Sequence, residues 1–377
     1  MHLADLDLSA LRFRTSAEVF DELQEACAQN PDLAQFETVG ESEEGRPIAG
    51  VTLGYGPALV TLVAGAHADE PVGPETLRTL VLEGLAARDW GAEGGGLEEL
   101  WERVTLRVVP HVNPDGEARN WAWIEAWDAS RPAETLGHYL RGRRREPPGR
   151  DVEFGYPDGR PENRAATAFL FESGPVALHA SLHGMGFSEG ALLLVDKRWL
   201  GTDRAADLRA GFARAAADAG LRLHDHDRGG DKGFRYGGPG FWSTPEGAAM
   251  RQHFLDRDDP ETAALFRRSS MEQAVQTSPA DRSPLCVVTE LPLFALTAAP
   301  ASGERQPGVP AVLDAFQEVM PALVEAAAEG RGLGPLVAPF GLRCPDLETQ
   351  VRVHLRTLDL AVDAVTRAAG PASRSRR

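Results

Sequence analysis

Cysteine is scarce in this chain of 377 residues, which contains only Cys27, Cys286 and Cys344. Three cysteines so far apart argue against a disulfide framework and against a Cys-x-x-Cys zinc site. The N-terminal residues are acidic where a secretory signal would be basic, and no apolar run reaches the length of a membrane-spanning helix. These absences predict a cytoplasmic protein that does not enter a membrane.

Basic residues are also few. The chain contains 39 Lys and Arg residues and 56 Asp and Glu residues, so its formal net charge is -17 at pH 7. Because nucleic acids and anionic membranes are bound mainly through Lys and Arg contacts with phosphate, we expect neither as a partner. The one basic cluster, Arg141 to Arg145, runs into Glu-Pro-Pro-Gly and is interpreted as a solvated loop. The sequence leaves the oligomeric state open.

Apolar runs of strand length alternate with amphipathic helical patterns along the chain. The predicted strands are 48–53, 59–64, 104–112, 177–182 and 285–289, and the predicted helices are 16–29, 74–87, 162–172, 204–219, 310–329 and 346–368. This alternation predicts an α/β fold with a mixed, mostly parallel central sheet and helices on both faces. In such sheets ligands bind at the carboxyl ends of the strands.

The pattern divides the chain into three parts. We expect one large domain over residues 1–300, a helical extension packed on it over 301–368, and a disordered tail over 369–377. Residues 224–283 are rich in Gly and interrupt the alternation, so we interpret them as an insertion that shapes a binding cleft. The insertion begins with His224-Asp225-His226-Asp227, which we interpret as a polar loop in preference to a metal site.

Polar side chains follow four of the predicted strands, where each strand ends. They are His67 with Glu70, Asn113, His183 and Glu290. The spacing His67-x-x-Glu70 puts an imidazole and a carboxylate on one loop, and Zn2+ accepts both as ligands. His179 shares a strand face with His183 but lies before the strand end, so we interpret it as a buried, hydrogen-bonded histidine. Asp69 is interpreted as solvated.

The order of these motifs resembles that of the zinc metallocarboxypeptidase family, the carboxypeptidase A-like enzymes. The resemblance covers most of residues 11–295 and rests on Gly-x-Ser-x-Glu-Gly-Arg-Pro at 40–47, His67-x-x-Glu70, Asn113-Pro-Asp-Gly116, Leu182-His183-Gly184 and Thr289-Glu290-Leu291. It implies a carboxypeptidase-like α/β domain in which His67, Glu70 and His183 bind one Zn2+ per chain. It also implies that Glu290 is the general base acting on a zinc-activated water, and that Asp151 supports the zinc-binding His67.

In this family an arginine stabilises the oxyanion of the tetrahedral intermediate. By resemblance Arg119, which follows the Asn-Pro-Asp-Gly turn, takes this role, and Arg131 is the alternative. Both are catalytic candidates, because a guanidinium placed at the developing charge stabilises the transition state.

The chain departs from the family where the substrate carboxylate is held. The family motif Asp-x-Asn-Arg is replaced by Asp151-Val-Glu153-Phe154, and neither an acid nor a benzyl group binds a carboxylate. Either another arginine supplies the clamp, from Arg141–Arg145, Arg150 or Arg164, or the substrate has no carboxylate there. We expect Glu153 to face a cationic group of the substrate, with a salt bridge to a neighbouring arginine as the alternative.

Together these features predict a zinc metallopeptidase that cleaves a peptide or related amide bond, with atypical anchoring of the substrate carboxylate. Phe154 and, on the insertion, Tyr236 are predicted to contact the peptide or small amide substrate. A deacylase of N-acyl amino acids or small amides is the alternative function. A zinc-stabilised binding protein without turnover is a third hypothesis, and the presence of Glu290 argues against it.

Overall fold

The structure is a computed structural model that describes residues 2–87, 97–298 and 310–366. In these residues one sheet of ten strands forms the centre of the fold. The strands are β1 (Ala34–Glu41), β2 (Pro47–Leu53), β3 (Ala58–Ala64), β4 (Val104–Val109), β5 (Val176–Ser188), β6 (Gly190–Val195), β7 (Arg222–Leu223), β8 (Phe241–Ser243), β9 (Leu285–Leu296) and β10 (Leu342–Arg343).

The strand order in the sheet is β1-β2-β4-β3-β5-β9-β6-β7, with β10 paired to β9 and β8 paired to β6. The four central strands β4, β3, β5 and β9 are parallel to one another. The pairs β1 with β2, β2 with β4, and β6 with β9 are antiparallel. The predicted mixed sheet with a parallel centre is confirmed.

Helices cover the sheet on both faces. In the described residues they are α1 (Ser16–Gln29), α2 (Val72–Ala86), α3 (Glu98–Arg103), α4 (Pro114–Glu125), α5 (Pro132–Gly142), α6 (Pro161–Phe171), α7 (Asp203–Asp218), α8 (Gly247–Leu255), α9 (Pro260–Leu265), α10 (Ser270–Thr277), α11 (Ala311–Ala328), α12 (Gly334–Val337) and α13 (Leu347–Thr366). The helices and the sheet enclose two hydrophobic cores, one on each face of the sheet. Successive side chains of β6 point to opposite faces, so Leu193 lies in the larger core and Leu192 and Leu194 lie in the smaller one.

Two core strands are longer than predicted. β5 continues past Leu182 to Ser188, and β9 continues past Thr289 to Leu296, where residues 291–296 are apolar and buried. His183 and Glu290 therefore lie within strands, and the prediction that their strands end there is wrong. β3 pairs with β5 only as far as Leu182, so beyond that point the edge of β5 faces the loop that follows β3.

Several elements were not predicted from the sequence, among them β1, β6, α4 and α5. The turn motif at 113–116 is the start of α4, where the Asn113 side chain caps the helix by accepting a hydrogen bond from the Gly116 backbone N–H at 3.0 Å. Pro114 occupies the first helical position, where no backbone donor is needed. The insertion 224–283 also contains regular structure, namely β8, α8, α9 and α10.

The C-terminal helices pack on the sheet. α13 contacts α2, α7, β5 and β9, and its buried His354 places Nδ1 2.7 Å from the Thr289 hydroxyl, next to Glu290. The Asp359 carboxylate accepts hydrogen bonds from the backbone N–H groups of Leu3 and Ala4, at 2.9 and 3.2 Å. The predicted tail, 369–377, lies outside the described residues. No described helix has both the length and the apolar character needed to cross a membrane.

Candidate active site

The loop between β3 and α2 carries two side chains of metal-binding type, and β5 carries a third. The ligating atoms of His67, Glu70 and His183 all lie within 4.8 Å of one another. Glu70 Oε2 is 3.0 Å from His183 Nδ1, and the ring centroids of the two histidines are 5.0 Å apart. In the part of the chain that the structure describes, this is the only group of three or more His, Cys, Asp or Glu side chains suited to hold one ion.

Hydrogen bonds around β5 orient this cluster. Ser181 and His183 lie on the same strand face, and the Ser181 hydroxyl is 2.7 Å from His183 Nε2, so that Nδ1 faces Glu70. Glu70 Oε2 also accepts a hydrogen bond from the Gly184 backbone N–H at 3.1 Å. Two imidazoles and one carboxylate form a donor set that zinc accepts, with a fourth position left for substrate or water. The residues present therefore fit the predicted zinc ion.

The close approach of α2 to β5 depends on Gly73. This residue lies near the start of α2, and a Cβ atom there would lie 2.3 Å from the backbone oxygen of Leu182. The contact holds the start of α2, and with it Glu70, against the part of β5 that carries His183. A glycine at this position thus brings the two halves of the cluster together.

Glu290 lies on β9 directly opposite His183 in the register of the parallel β5–β9 pair. Burial, with a further contribution from the negative charge of Glu70, raises the pKa of Glu290 to about 8. Positive charge on His183 and His67 acts in the opposite direction. The carboxyl group is therefore beside the metal cluster, and its proton affinity depends on the charge there.

Two more carboxylates lie beside the imidazoles. Burial alone would lower the pKa of His67, but the charges of Glu70 and Asp151 outweigh it and raise that pKa above its ordinary value. Glu153 Oε2 is 3.3 Å from His183 Nε2. Burial would raise the pKa of Glu153, but the contact with His183 lowers it. Among the described residues Glu153 makes no salt bridge with an arginine, and its ionic partner is His183.

These groups open into a cavity of about 590 Å³. His67, Asp151, Glu153, His183 and Glu290 all line it. The insertion supplies a further part of the wall, namely Arg228, Lys232, Phe234, Pro245, Met250, Phe254, Phe266 and Met271. Part of the insertion therefore lies beside the metal cluster.

The structure does not bring the two predicted oxyanion arginines to the cavity. The guanidinium of Arg119 lies on α4 and pairs with Glu44, and the side chain is 44% exposed. Arg131 precedes α5 and pairs with Glu134 at 2.6 Å on the surface. Neither residue lines the cavity.

The two predicted substrate-binding aromatic residues differ in position. Phe154 lines the cavity, and its ring packs on Phe266 with centroids 5.6 Å apart. Tyr236 does not line the cavity, and its hydroxyl donates a hydrogen bond to Asp225. Phe234, two residues before Tyr236, does line the cavity.

The interpretation of Asp69 as solvated is wrong. Its side chain is buried, and its Oδ2 lies 2.6 Å from Arg143 Nε and 3.2 Å from Arg145 Nε. These ion pairs order part of the basic segment, so that Arg145 lines the cavity. An acidic residue between two metal ligands, together with a run of arginines elsewhere, was the only sequence signal for this arrangement.

Of two further histidines considered in the sequence, His179 is placed as predicted. His179 is fully buried, with its Nδ1 2.9 Å from the Thr61 hydroxyl. His224 is also buried, and its Nδ1 lies 3.0 Å from a carboxylate oxygen of Glu189.

Comparison with known proteins finds similarity to one family in the first half of the chain. Residues 19–187 match the family model of the zinc carboxypeptidases. The matched segment contains His67, Glu70 and His183 and ends before Glu290. Among solved structures, a metallo-carboxypeptidase from Burkholderia cenocepacia aligns with 93% of this chain and 68% of its own, at 15% identity and a TM-score of 0.47.

The similar curated sequences are distant. The chain is 27% identical to zinc carboxypeptidase A 1 of Anopheles gambiae over 157 residues, which are 41% of this chain and 34% of that protein. It is 30% identical to carboxypeptidase B of Astacus astacus over 124 residues, 31% of this chain and 39% of that protein. It is also 26% identical over 113 residues, 28% of this chain and 18% of that protein, to an inactive metallocarboxypeptidase, ECM14, of Ajellomyces capsulatus. The chain thus spans less than half the length of these relatives.

Proposed function

We propose that this chain is a zinc-dependent hydrolase of carboxypeptidase type that cleaves a peptide or related amide bond. The observation that supports this proposal most is the position of Glu290 opposite His183, beside the cluster of His67, Glu70 and His183. A carboxylate next to a three-ligand metal site is the arrangement needed for metal-assisted hydrolysis. The cavity volume of about 590 Å³ lies in the range of small-ligand sites.

His67, Glu70 and His183 would hold one zinc ion per chain. When bound, zinc supplies a Lewis acid that polarises the scissile carbonyl, acidifies the attacking water and, through its positive charge, lowers the pKa of Glu290 from about 8. Glu290 is then ionised near neutral pH and accepts the proton of the attacking water. Its carboxylic acid afterwards gives that proton to the nitrogen of the leaving amine.

Arg145 takes the oxyanion-stabilising role predicted from the sequence for Arg119. It lines the same cavity as Glu290, whereas Arg119 is paired with Glu44 and does not line it. The Asp69 carboxylate contacts Arg145 through Nε, so the two terminal nitrogens of the guanidinium are left to face a developing oxyanion.

Matched small substrates test this function. We expect N-benzyloxycarbonyl-glycyl-phenylalanine to be hydrolysed at its peptide bond faster than N-acetylphenylalanine is deacylated. Activity is expected to disappear on removal of zinc with a chelator and to return when zinc is restored. Release of phenylalanine, measured by chromatography, distinguishes the outcomes. Hydrolysis of N-acetylphenylalanine alone would favour a deacylase, and no hydrolysis of any peptide or acyl amino acid would favour a binding protein.

A further inference from the structure

Two cationic side chains line the cavity without forming an ion pair with any residue of the site. Arg228 and Lys232 come from the insertion and line the cavity that contains His67 and Glu290. Among the described residues, neither cation has a carboxylate within the 4.0 Å of an ion pair, whereas Arg145, the other cation of the cavity, is paired with Asp69. Two cations without ionic partners beside a candidate catalytic centre are suited to an anionic ligand.

Arg228 is held by stacking. Its guanidinium carbon lies 4.9 Å from the ring centroid of Phe234 and 5.1 Å from that of Trp242. Such contacts fix the plane of a guanidinium without using its N–H groups, which stay available for a two-pronged hydrogen bond to a carboxylate. The chain reverses directly after Arg228 through Gly229 and Gly230, whose φ angles of 59° and 86° favour glycine.

The charges in the cavity are distributed unevenly. The strand and loop residues near the metal cluster contribute carboxylates, including Glu153 and Glu290, while the insertion contributes Arg228 and Lys232. Burial lowers the pKa of Arg228, and the charge of Glu290 acts against this effect. Glu153 contacts His183, so neither Arg228 nor Lys232 is neutralised by that carboxylate.

Apolar side chains lie in the same cavity as the two cations. Phe254 and Phe266 are stacked with centroids 5.2 Å apart, and Phe154, Met250 and Met271 also line the cavity. Aromatic rings and flexible methionines accommodate an apolar or aromatic group of varied shape. The ligand expected there combines such a group with a negative charge.

We propose that Arg228, assisted by Lys232, anchors a carboxylate of the substrate while the aromatic residues around Phe266 receive an adjacent apolar side chain. The proposal rests on the proposed function, because it treats this cavity as the substrate site. It assigns the missing carboxylate clamp to the insertion, in place of residues 153 and 154 where the family carries it. It also reverses the expectation that Glu153 selects a cationic substrate.

A pair of probes that differ only in charge tests the anchor. We expect 3-phenylpropanoate to bind the full-length zinc-loaded protein at least about tenfold more tightly than 3-phenylpropanamide, measured by calorimetry. Arg228→Gln should weaken binding of the acid about tenfold or more and leave binding of the amide unchanged. Arg228→Lys should have an intermediate effect, since it keeps the charge but loses the planar fork.

Arg257→Gln is the matched control, because Arg257 belongs to the same insertion but bonds to His253 and does not line the cavity. This variant should bind both probes like the wild type. The anchor is contradicted if acid and amide bind the wild type equally, or if Arg228→Gln weakens both probes alike. Since binding is measured without turnover, a failure of hydrolysis leaves this result intact, and repeating the titration after zinc removal separates binding at Arg228 from binding at the metal.

Discussion

Replacing Glu290 with Gln is expected to lower kcat for N-benzyloxycarbonyl-glycyl-phenylalanine by about a thousandfold, while the zinc content stays that of the wild type. The amide keeps the shape of the carboxylate but cannot accept the proton of the attacking water, and general-base catalysis is worth about 10² to 10⁴ in rate. Glu290 faces His183 across β5 and β9 without belonging to the three-ligand cluster, so zinc binding should survive the change. Steady-state kinetics with elemental analysis measure both quantities.

Glu246→Gln provides the control for this experiment. Glu246 is an exposed carboxylate of the insertion that pairs with Lys197 and does not line the cavity. Its replacement should leave kcat within about twofold of the wild type, as expected for a surface ion pair. A Glu290→Gln protein that retains zinc and near-normal kcat would show that the proton acceptor lies elsewhere.

Gly73→Ala is expected to destabilise the protein by about 1 to 3 kcal/mol and to weaken zinc binding at least about tenfold. The new Cβ would lie 2.3 Å from the Leu182 backbone oxygen, so α2 must move away from β5. This movement would carry Glu70 away from His183, because the start of α2 directly follows the loop that bears Glu70. Thermal unfolding and competition for zinc with a chelator of known affinity measure the two effects.

Gly84→Ala, in the same helix, separates this steric effect from helix propensity. A Cβ at Gly84 would meet only ordinary contacts, the nearest being Trp101 at 3.5 Å. Alanine there should stabilise the helix by about 0.5 to 1 kcal/mol and leave zinc affinity unchanged. Equal zinc affinity in the two variants would mean that the approach of α2 to β5 does not set the geometry of the cluster.

The metal cluster was predictable because its signals are local. An apolar run of strand length followed by His67-x-x-Glu70 specifies two ligands on one loop, and the parallel sheet brings His183 and Glu290 to the same edge.

The extent of the strands was less predictable. β6 lacks polar alternation because both of its faces are buried, and β1 is an exposed edge strand with few apolar residues.

The position of the arginines depended on structure that the sequence concealed. The Asn-Pro-Asp-Gly motif reads as a turn, but it begins helix α4, and this helix places Arg119 near Glu44 and outside the cavity. Arg145 is held at the cavity by an ion pair with Asp69. These two residues are 76 positions apart in sequence. No local pattern predicts such a pairing.

The contribution of the insertion could be predicted only in outline. Its length and its glycines indicated a segment that shapes the site, but no periodic pattern showed that Phe234 would line the cavity while Tyr236 would not. The position of Arg228 depends on stacking against Phe234 and against Trp242, which lies on β8. Side chains that are placed by tertiary packing of loops are the part of a site that sequence specifies least.

The zinc content of the purified protein tests the central claim most directly. Elemental analysis should give about one zinc ion per wild-type chain and less than about a tenth of that in His67→Ala and in His183→Ala, because each variant removes one of three ligands. His179→Ala, which removes a buried histidine outside the cluster, should keep its zinc. Wild-type protein that stays free of zinc after incubation with the metal would contradict the account.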